Sequence, residues 1–378
     1  MSKAESLYLD VWRFVCAVIV VFGHISGKRF TDGVLWQASF LMSQAVVVFF
    51  VLSGYVISYV LDTRENTWKD YAVSRLARLY SVVIPALILT AVLDFGGRII
   101  APAAYSPVWG FHGDGPSHYL ESLFFINEVW FFHNAPGSDL PFWSLGYEAW
   151  YYVIAGVAWF WGRRKWLAIA LLLGLAGPDI VAMFPLWLMG FFAYRIRRWS
   201  AVKALLDILG PIFWLVPLGA LVVYECLAWR YGRLFSSTML FFNRGELFED
   251  YLVGFLCAVH FCGFAGLQGY LPMRLPERLG RGIRWVAGAT FSTYLYHLPI
   301  AQFVSVVLPE NKASHWVEAL TVLLTFCGIF LMAEFSERKK EWWRKAVYRA
   351  IDPTVSAGHF LVRGSRQAAS ILHNFGIQ

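Results

Sequence analysis

Charge is what this chain has least of. Asp, Glu, Lys and Arg together make up 15% of its 378 residues, where about 25% is ordinary for a soluble domain. Cysteine is sparse too. The five (Cys16, Cys226, Cys257, Cys262, Cys327) lie mostly inside apolar runs. No pair has metal-ligand spacing beside a His cluster, and no disulfide framework can be read. These absences argue against a zinc module and a disulfide-stapled secreted fold, and leave the cysteines as small core hydrophobes. No internal repeat or second globular unit can be traced. A cleavable signal peptide is not expected either. Asp10, Arg13 and His24 interrupt the first apolar run, and no A-x-A site follows, so the first span should remain uncleaved.

Apolar residues fill the space that charge leaves. They make up 58% of the chain, more than a soluble domain of this length can hide from water. The fold class expected is therefore an all-α integral membrane protein. Stretches of about 20 mostly apolar residues mark about ten transmembrane helices: Leu7–Ile25, Leu35–Leu61, Leu79–Ile99, Phe142–Trp161, Trp166–Ala182, Phe184–Ile196, Leu205–Tyr224, Leu247–Leu267, Trp285–Val307 and Trp316–Phe335.

Ten crossings put both termini on one side, and the basic residues identify it. Lys3, Arg64, Lys69, Arg75, Arg78, Arg163, Arg164, Lys165, Arg195, Arg197, Arg198 and a basic tail fall on one side, against a few such as Lys28, Arg29 and Arg98 on the other. By the positive-inside rule both termini are cytoplasmic. The net charge of +7 is then a topology signal, and no nucleic-acid partner is expected. The chain divides into a transmembrane domain, residues 1–335, and a cytoplasmic basic amphipathic tail, residues 336–378. In the tail Trp343, Val347 and Ala350 share a helical face, with Arg344, Lys345 and Arg349 on others, as in an interfacial helix on an anionic leaflet. The outer connection 101–141 is the long irregular one, and within it Tyr119–Phe132 reads as an apolar helix. Its aromatics (Tyr105, Trp109, Phe111, Tyr119, Trp130, Phe131, Phe132) suit either stacking on a sugar or an interfacial belt.

Ionisable residues inside spans are costly and so mark candidate sites. Arg13 and His24 are eleven residues apart, which on a helix returns to within about 20° and climbs about 16 Å. Asp10 lies on the same stripe and reads as a salt-bridge partner for Arg13. Snorkelling at an interface would explain Arg13 alone, and a wet helix end His24 alone, but not their shared face. Arg75 and Arg78, one turn apart at a helix N-terminus, form a phosphate trap or ordinary positive-inside residues. Glu148 lies at a depth where a carboxylate needs a partner. Pairing with His24 is geometrically possible and would orient the ring and favour the imidazolium. His297, midway through its span, is either a further candidate or a satisfied core histidine.

Taken in order, five stretches resemble acyltransferase family 3, the integral-membrane acyltransferases that modify surface glycans. They are Leu9–His24 (LDVWRFVCAVIVVFGH), Val48–Ile57 (VFFVLSGYVI), Arg75–Tyr80 (RLARLY), Phe142–Tyr152 (FWSLGYEAWYY) and Gly288–Ile300 (GATFSTYLYHLPI). Larger relatives add a periplasmic SGNH-type esterase domain, and only 43 residues follow Phe335 here. The resemblance implies acyl transfer from a cytoplasmic acyl-CoA, most often acetyl-CoA, to a sugar hydroxyl outside a bacterial cytoplasmic (inner) membrane. His24 is then general base or acylated nucleophile, with Glu148 positioning it. Arg75 and Arg78 grip the nucleotide phosphates, Arg13 guides the pantetheine arm, and Ser53–Gly54 hold the thioester or oxyanion. Trp143, Ser144 and Tyr147, with Asp10 and His297, support the site. No metal and no permanently bound cofactor is expected, acyl-CoA being a co-substrate. Partners would be membrane lipids, acyl-CoA and a glycan or glycolipid acceptor, with a homo-oligomer left open. The competing class is a proton-coupled transporter or flippase, since intramembrane Arg, His and Glu also build proton relays.

Overall fold

Hydrocarbon offers no partner for a backbone N–H or C=O, so a chain this apolar must satisfy its backbone within helices. The computed structural model describes residues 1–106, 111, 115–232, 246–267, 276–309, 311 and 314–351. Every regular element among them is helical. The α-helices are α1 (Lys3–Ile25), α2 (Met42–Thr63), α3 (Trp68–Ile100), α4 (Pro116–Leu123), α5 (Trp143–Phe160), α6 (Lys165–Ala176) and α7 (Pro178–Ile196). They continue as α8 (Ser200–Tyr231), α9 (Leu247–Leu267), α10 (Glu277–Ala287), α11 (Thr290–Val307), α12 (His315–Phe335) and α13 (Lys340–Ile351). Trp109 and residues 352–378 of the expected tail lie outside the described residues.

Seven segments are long and apolar enough to cross a membrane: Lys3–Ile25, Trp36–Thr63, Trp68–Ile100, Pro178–Ile196, Ser200–Tyr231, Leu247–Leu267 and His315–Ile351. Their outer faces suit lipid. Ile88, Val92, Phe95 and Ile99 make an exposed apolar stripe on α3, and Ile208, Ile212, Leu215 and Val222 do so on α8; in water such stripes would be a liability. The other three expected spans correspond to α5, α6 and α11. At 18 residues each, α5 and α11 carry Tyr, Ser, Thr and His that lower their hydropathy, and α6 has only 12 residues.

Three boundaries differ from the expectation. The break expected between Ala182 and Phe184 lies at Gly177, whose φ of +91° ends α6 and hands over to Pro178 at the start of α7. The expected span Trp285–Val307 is interrupted after Ala287, so that Trp285 belongs to the amphipathic α10 and only Thr290–Val307 is α11. The apolar stretch Tyr119–Phe132 is helical only to Leu123. Phe125 (φ 58°) and Trp130 (φ 56°) then turn the chain with left-handed backbone.

Two tight packings position the site. At the crossing of α2 and α7, a Cβ on Gly54 would lie 1.9 Å from the Trp187 carbonyl oxygen, and one on Gly190 would lie 1.8 Å from that of Val51. Only paired glycines let the two backbones approach this closely. At the foot of α1, Ser2 and Glu5 form a capping box. The buried Glu5 carboxylate also accepts from the Tyr55 hydroxyl of α2 (2.6 Å) and from Arg197 after α7 (2.6 Å). One carboxylate thus ties the start of α1 to α2 and to the end of α7.

Candidate active site

The inner cavity, named for its place toward the Lys3 end of α1, lies among α1, α2, α3, α5 and the start of α11. It measures about 60 Å³, room for a few waters. Arg13, Arg75 and Arg78 line it together with Ser53, Ser144, Glu148, Tyr152 and Tyr294. Helix geometry explains the convergence: Arg75 and Arg78 are one turn apart on α3, and Glu148 and Tyr152 one turn apart on α5. Arg75 donates to Glu65 (3.0 Å) and Ser74 (2.8 Å), yet its buried Nε–H has no partner among the described residues. The Arg78 guanidinium stacks 4.4 Å from the Phe291 ring centroid and has no ion-pair partner among the described residues. Arg13 sits 3.5 Å from Asp10, as the shared stripe predicts. Three cations against the single lining carboxylate of Glu148 make this an anion-seeking space.

Glu148 is held at this inner cavity. It accepts a hydrogen bond from the Ser53 hydroxyl (2.6 Å) and another from the Tyr152 hydroxyl, while the Trp187 indole N–H donates to the same Ser53 oxygen (3.2 Å). The expected pairing of Glu148 with His24 is not made. Glu148 turns to Ser53 of α2 and lines the cavity beside Arg75 and Arg78 of α3, while His24 Nδ1 is engaged by the Val20 carbonyl and by His297 of α11. Gly54 is corrected too. Its open side meets α7 rather than the cavity, and it is Ser53 that lines the wall. Trp143 and Tyr147 pack edge-to-face on each other (5.2 Å) and against Phe50, so they shape the wall from behind.

His24 lines a second cavity of about 320 Å³, outer in the sense of lying toward the Ile25 end of α1, with Arg29, Lys28, Ser138, Phe111 and Gln302 among its neighbours. Its partner is His297. His297 Nε2 lies 3.1 Å from His24 Nδ1, and the rings are 5.1 Å apart. The surrounding carbonyls fix the tautomers. His297 Nδ1 is 3.0 Å from the Thr293 carbonyl and must donate to it, which leaves its Nε2 as an acceptor. His24 Nδ1 is 2.9 Å from the Val20 carbonyl and must also carry the hydrogen, shared between that oxygen and His297 Nε2. The lone pair of His24 therefore resides on Nε2, the atom without a protein partner among the described residues.

The two cavities share no lining residue. Between them stands Tyr294, which lines the inner cavity, hydrogen-bonds Ser144 (2.7 Å) and places its ring 6.5 Å from that of His297. Sequence reasoning did not single out Tyr294, Tyr152, Glu65 or Gln302. Tyr152 was the most findable, one helical turn after Glu148 in the same stretch, and Tyr294 lies three residues before His297. Glu65 and Gln302 carried no local signal. Among the described residues no group of three His, Cys, Asp or Glu could hold a metal ion.

The family model described as Acyltransferase domain matches residues 6–334. Peptidoglycan O-acetyltransferase OatA of Listeria monocytogenes is similar to the chain, 26% identical over 337 residues that cover 78% of this chain and 50% of that protein. The chain thus spans about half the length of the curated relative it matches. No solved structure matches the chain. The family match runs through both cavities, from Arg13 and His24 to His297, and the chain belongs to the acyltransferase 3 family.

Proposed function

We propose that this chain is a multi-pass membrane O-acyltransferase that moves an acyl group, acetyl first among candidates, from cytoplasmic acyl-CoA to a hydroxyl of an exported or surface glycan. It would do so in a bacterial cytoplasmic membrane, with ten crossings and both termini inside. Peptidoglycan is one acceptor to test, on the strength of the similar OatA. The observation that carries the reading is the stacking of two unlike cavities along α1. A tri-arginine inner cavity opens the path near Arg13, and a histidine with a free ring nitrogen ends it at His24, about 16 Å further along the helix.

In this reading Arg75 and Arg78 hold the phosphates of CoA, and Arg13 and Ser53 face the arm that carries the thioester. Tyr294 must swing away from Ser144 for the acyl carbonyl to pass. The acceptor hydroxyl gives its proton to His24 Nε2 as its oxygen attacks the thioester carbon. The C–S bond then breaks, and the CoA thiolate takes the proton from the imidazolium. His297 orients the ring by accepting from Nδ1–H, the role first expected of Glu148. Glu148 instead ties Ser53 and Tyr152 into the wall of the donor cavity.

The test is purified protein mixed with acetyl-CoA and a peptidoglycan fragment, with release of free thiol followed. Acceptor-dependent thiol release that disappears in His24→Ala supports the reading. Release that continues unchanged in that variant defeats it.

A further inference from the structure

We infer that Glu337, just beyond α12, is a positioning residue for the donor cavity: it caps α11 and so holds the Phe291 ring on which the Arg78 guanidinium lies. The inference rests on the function proposed above and brings a residue from the start of the tail into the donor site.

The first N–H groups of a helix have no partner inside it, and α11 cannot cap itself. Its N-cap is Ala289, which has no side-chain oxygen to offer. Glu337 takes over that role from a distant part of the chain. One carboxylate oxygen accepts from the Phe291 N–H (3.3 Å), and the other from the Ser292 N–H (2.9 Å) and the Ser292 hydroxyl (3.1 Å). The next residue does the converse for the neighbouring helix. Arg338 donates to the Trp285 carbonyl (2.9 Å), in the last turn of α10, and lies 4.0 Å from the Trp285 ring centroid. Two consecutive residues thus clasp the joint between α10 and α11, an acid on the helix start and a base on the helix end, as the helix dipoles favour.

This joint borders the donor cavity. Thr290 and Phe291, the first two residues of α11, line it. Phe291 is the ring whose centroid lies 4.4 Å from the Arg78 guanidinium, and Arg78 also acts electrostatically on Glu337. Past the clasp, α13 packs against α3, the helix that bears Arg75 and Arg78. A Phe291 tied by its own backbone N–H to Glu337 keeps its ring beneath Arg78 and the guanidinium turned along the cavity wall. Without that tie Arg78 would have to be ordered afresh by each arriving phosphate, and affinity falls by the cost of that ordering.

Four full-length proteins in detergent test this, each titrated with CoA: the parent, Glu337→Ala, Arg78→Ala and the double variant. Glu337→Ala should weaken CoA binding about tenfold when Arg78 is present and less than about twofold when it is gone, because its effect travels through that guanidinium. Parent-like affinity in Glu337→Ala would overturn the inference. So would an equal loss with and without Arg78, the pattern of a residue that only stabilises the fold. Should Glu337→Ala not fold, the isosteric Glu337→Gln takes its place in the cycle with the same expected sign. A parent that binds no CoA counts against the proposed function instead, and the cycle is then read in unfolding temperature. There the loss in the double variant should fall short of the sum of the two single losses, and additive losses would overturn the inference.

Discussion

His297 Nε2 accepts from His24 Nδ1–H across 3.1 Å, and this contact joins the middle of α11 to the outer end of α1. In the proposed reaction this makes His297 a positioning residue: it would touch no reacting atom, and it fixes which nitrogen of His24 presents a lone pair. His297→Ala should lower kcat about ten- to hundredfold by freeing the ring, with KM for acyl-CoA unchanged. His24→Ala should cost about 10²–10⁴-fold. Steady-state kinetics with acyl-CoA varied separates the two. A His297→Ala variant that raises KM for acyl-CoA and spares kcat would contradict the assignment.

The donor cavity can be probed through its arginines. Arg75→Ala and Arg78→Ala should each weaken CoA binding about ten- to hundredfold, as expected for loss of a charge-assisted phosphate contact. Glu65→Ala has a different signature. It leaves Arg75 buried without the carboxylate 3.0 Å away, and removing one partner of a buried pair costs about 3–5 kcal/mol. Thermal unfolding in detergent reads that loss. An unchanged unfolding temperature in Glu65→Ala would show that the pair holds nothing together.

The α2–α7 crossing predicts an intolerance that chemistry alone does not. Gly54→Ala places a methyl group against the Trp187 carbonyl and should cost about 1–3 kcal/mol or more through overpacking. Because Trp187 donates to Ser53, the same variant should also disturb the donor cavity. A Gly54→Ala protein as stable as its parent would mean that the helices stand further apart than described.

Asp139 gives the fold a pH dependence. It lies in the connection before α5, fully buried, and neither carboxylate oxygen has a hydrogen-bond partner among the described residues. Burial first, and then the Asp94 carboxylate, push its pKa well above the usual range. A raised carboxyl pKa means the fold favours the protonated form. Stability is then highest below the ordinary pKa of about 3.9 and is lost as pH climbs from there toward the raised value. Asp139→Asn removes that penalty. Unfolding temperatures of the two proteins should diverge between acid and neutral pH, the Asn variant becoming the more stable, and parallel curves would refute the effect.

The residues also explain how far the sequence could be read. Helix periodicity placed Arg13, Asp10 and His24 on one stripe because α1 is continuous from Lys3 to Ile25, and a straight helix obeys its own arithmetic. Arg75 and Arg78 converged for the same reason. Depth in the membrane was harder. It was counted from apolar span ends, and the 3₁₀ turn before α5, the Gly177 break and the interruption after Ala287 all come from local backbone that hydropathy ignores. Which neighbour Glu148 meets is set by how α5 packs in the bundle, and it meets Ser53 and Tyr152 rather than His24. The His24–His297 contact joins residues 273 positions apart, and nothing local in either stretch announces the other. Glu65 and Gln302 were invisible for the same reason: each acts only once the bundle has closed.

The central claim, that an acyl group crosses from the tri-arginine cavity past Tyr294 to His24, is tested most directly in sealed vesicles containing the protein. Radiolabelled acetyl-CoA is supplied on the side of Arg75 and Arg78, and the acceptor glycan only on the side of His24. Labelled glycan should accumulate with the parent protein and fail to do so with His24→Ala. Labelling that persists in His24→Ala, or that requires donor and acceptor on the same side, would contradict the account.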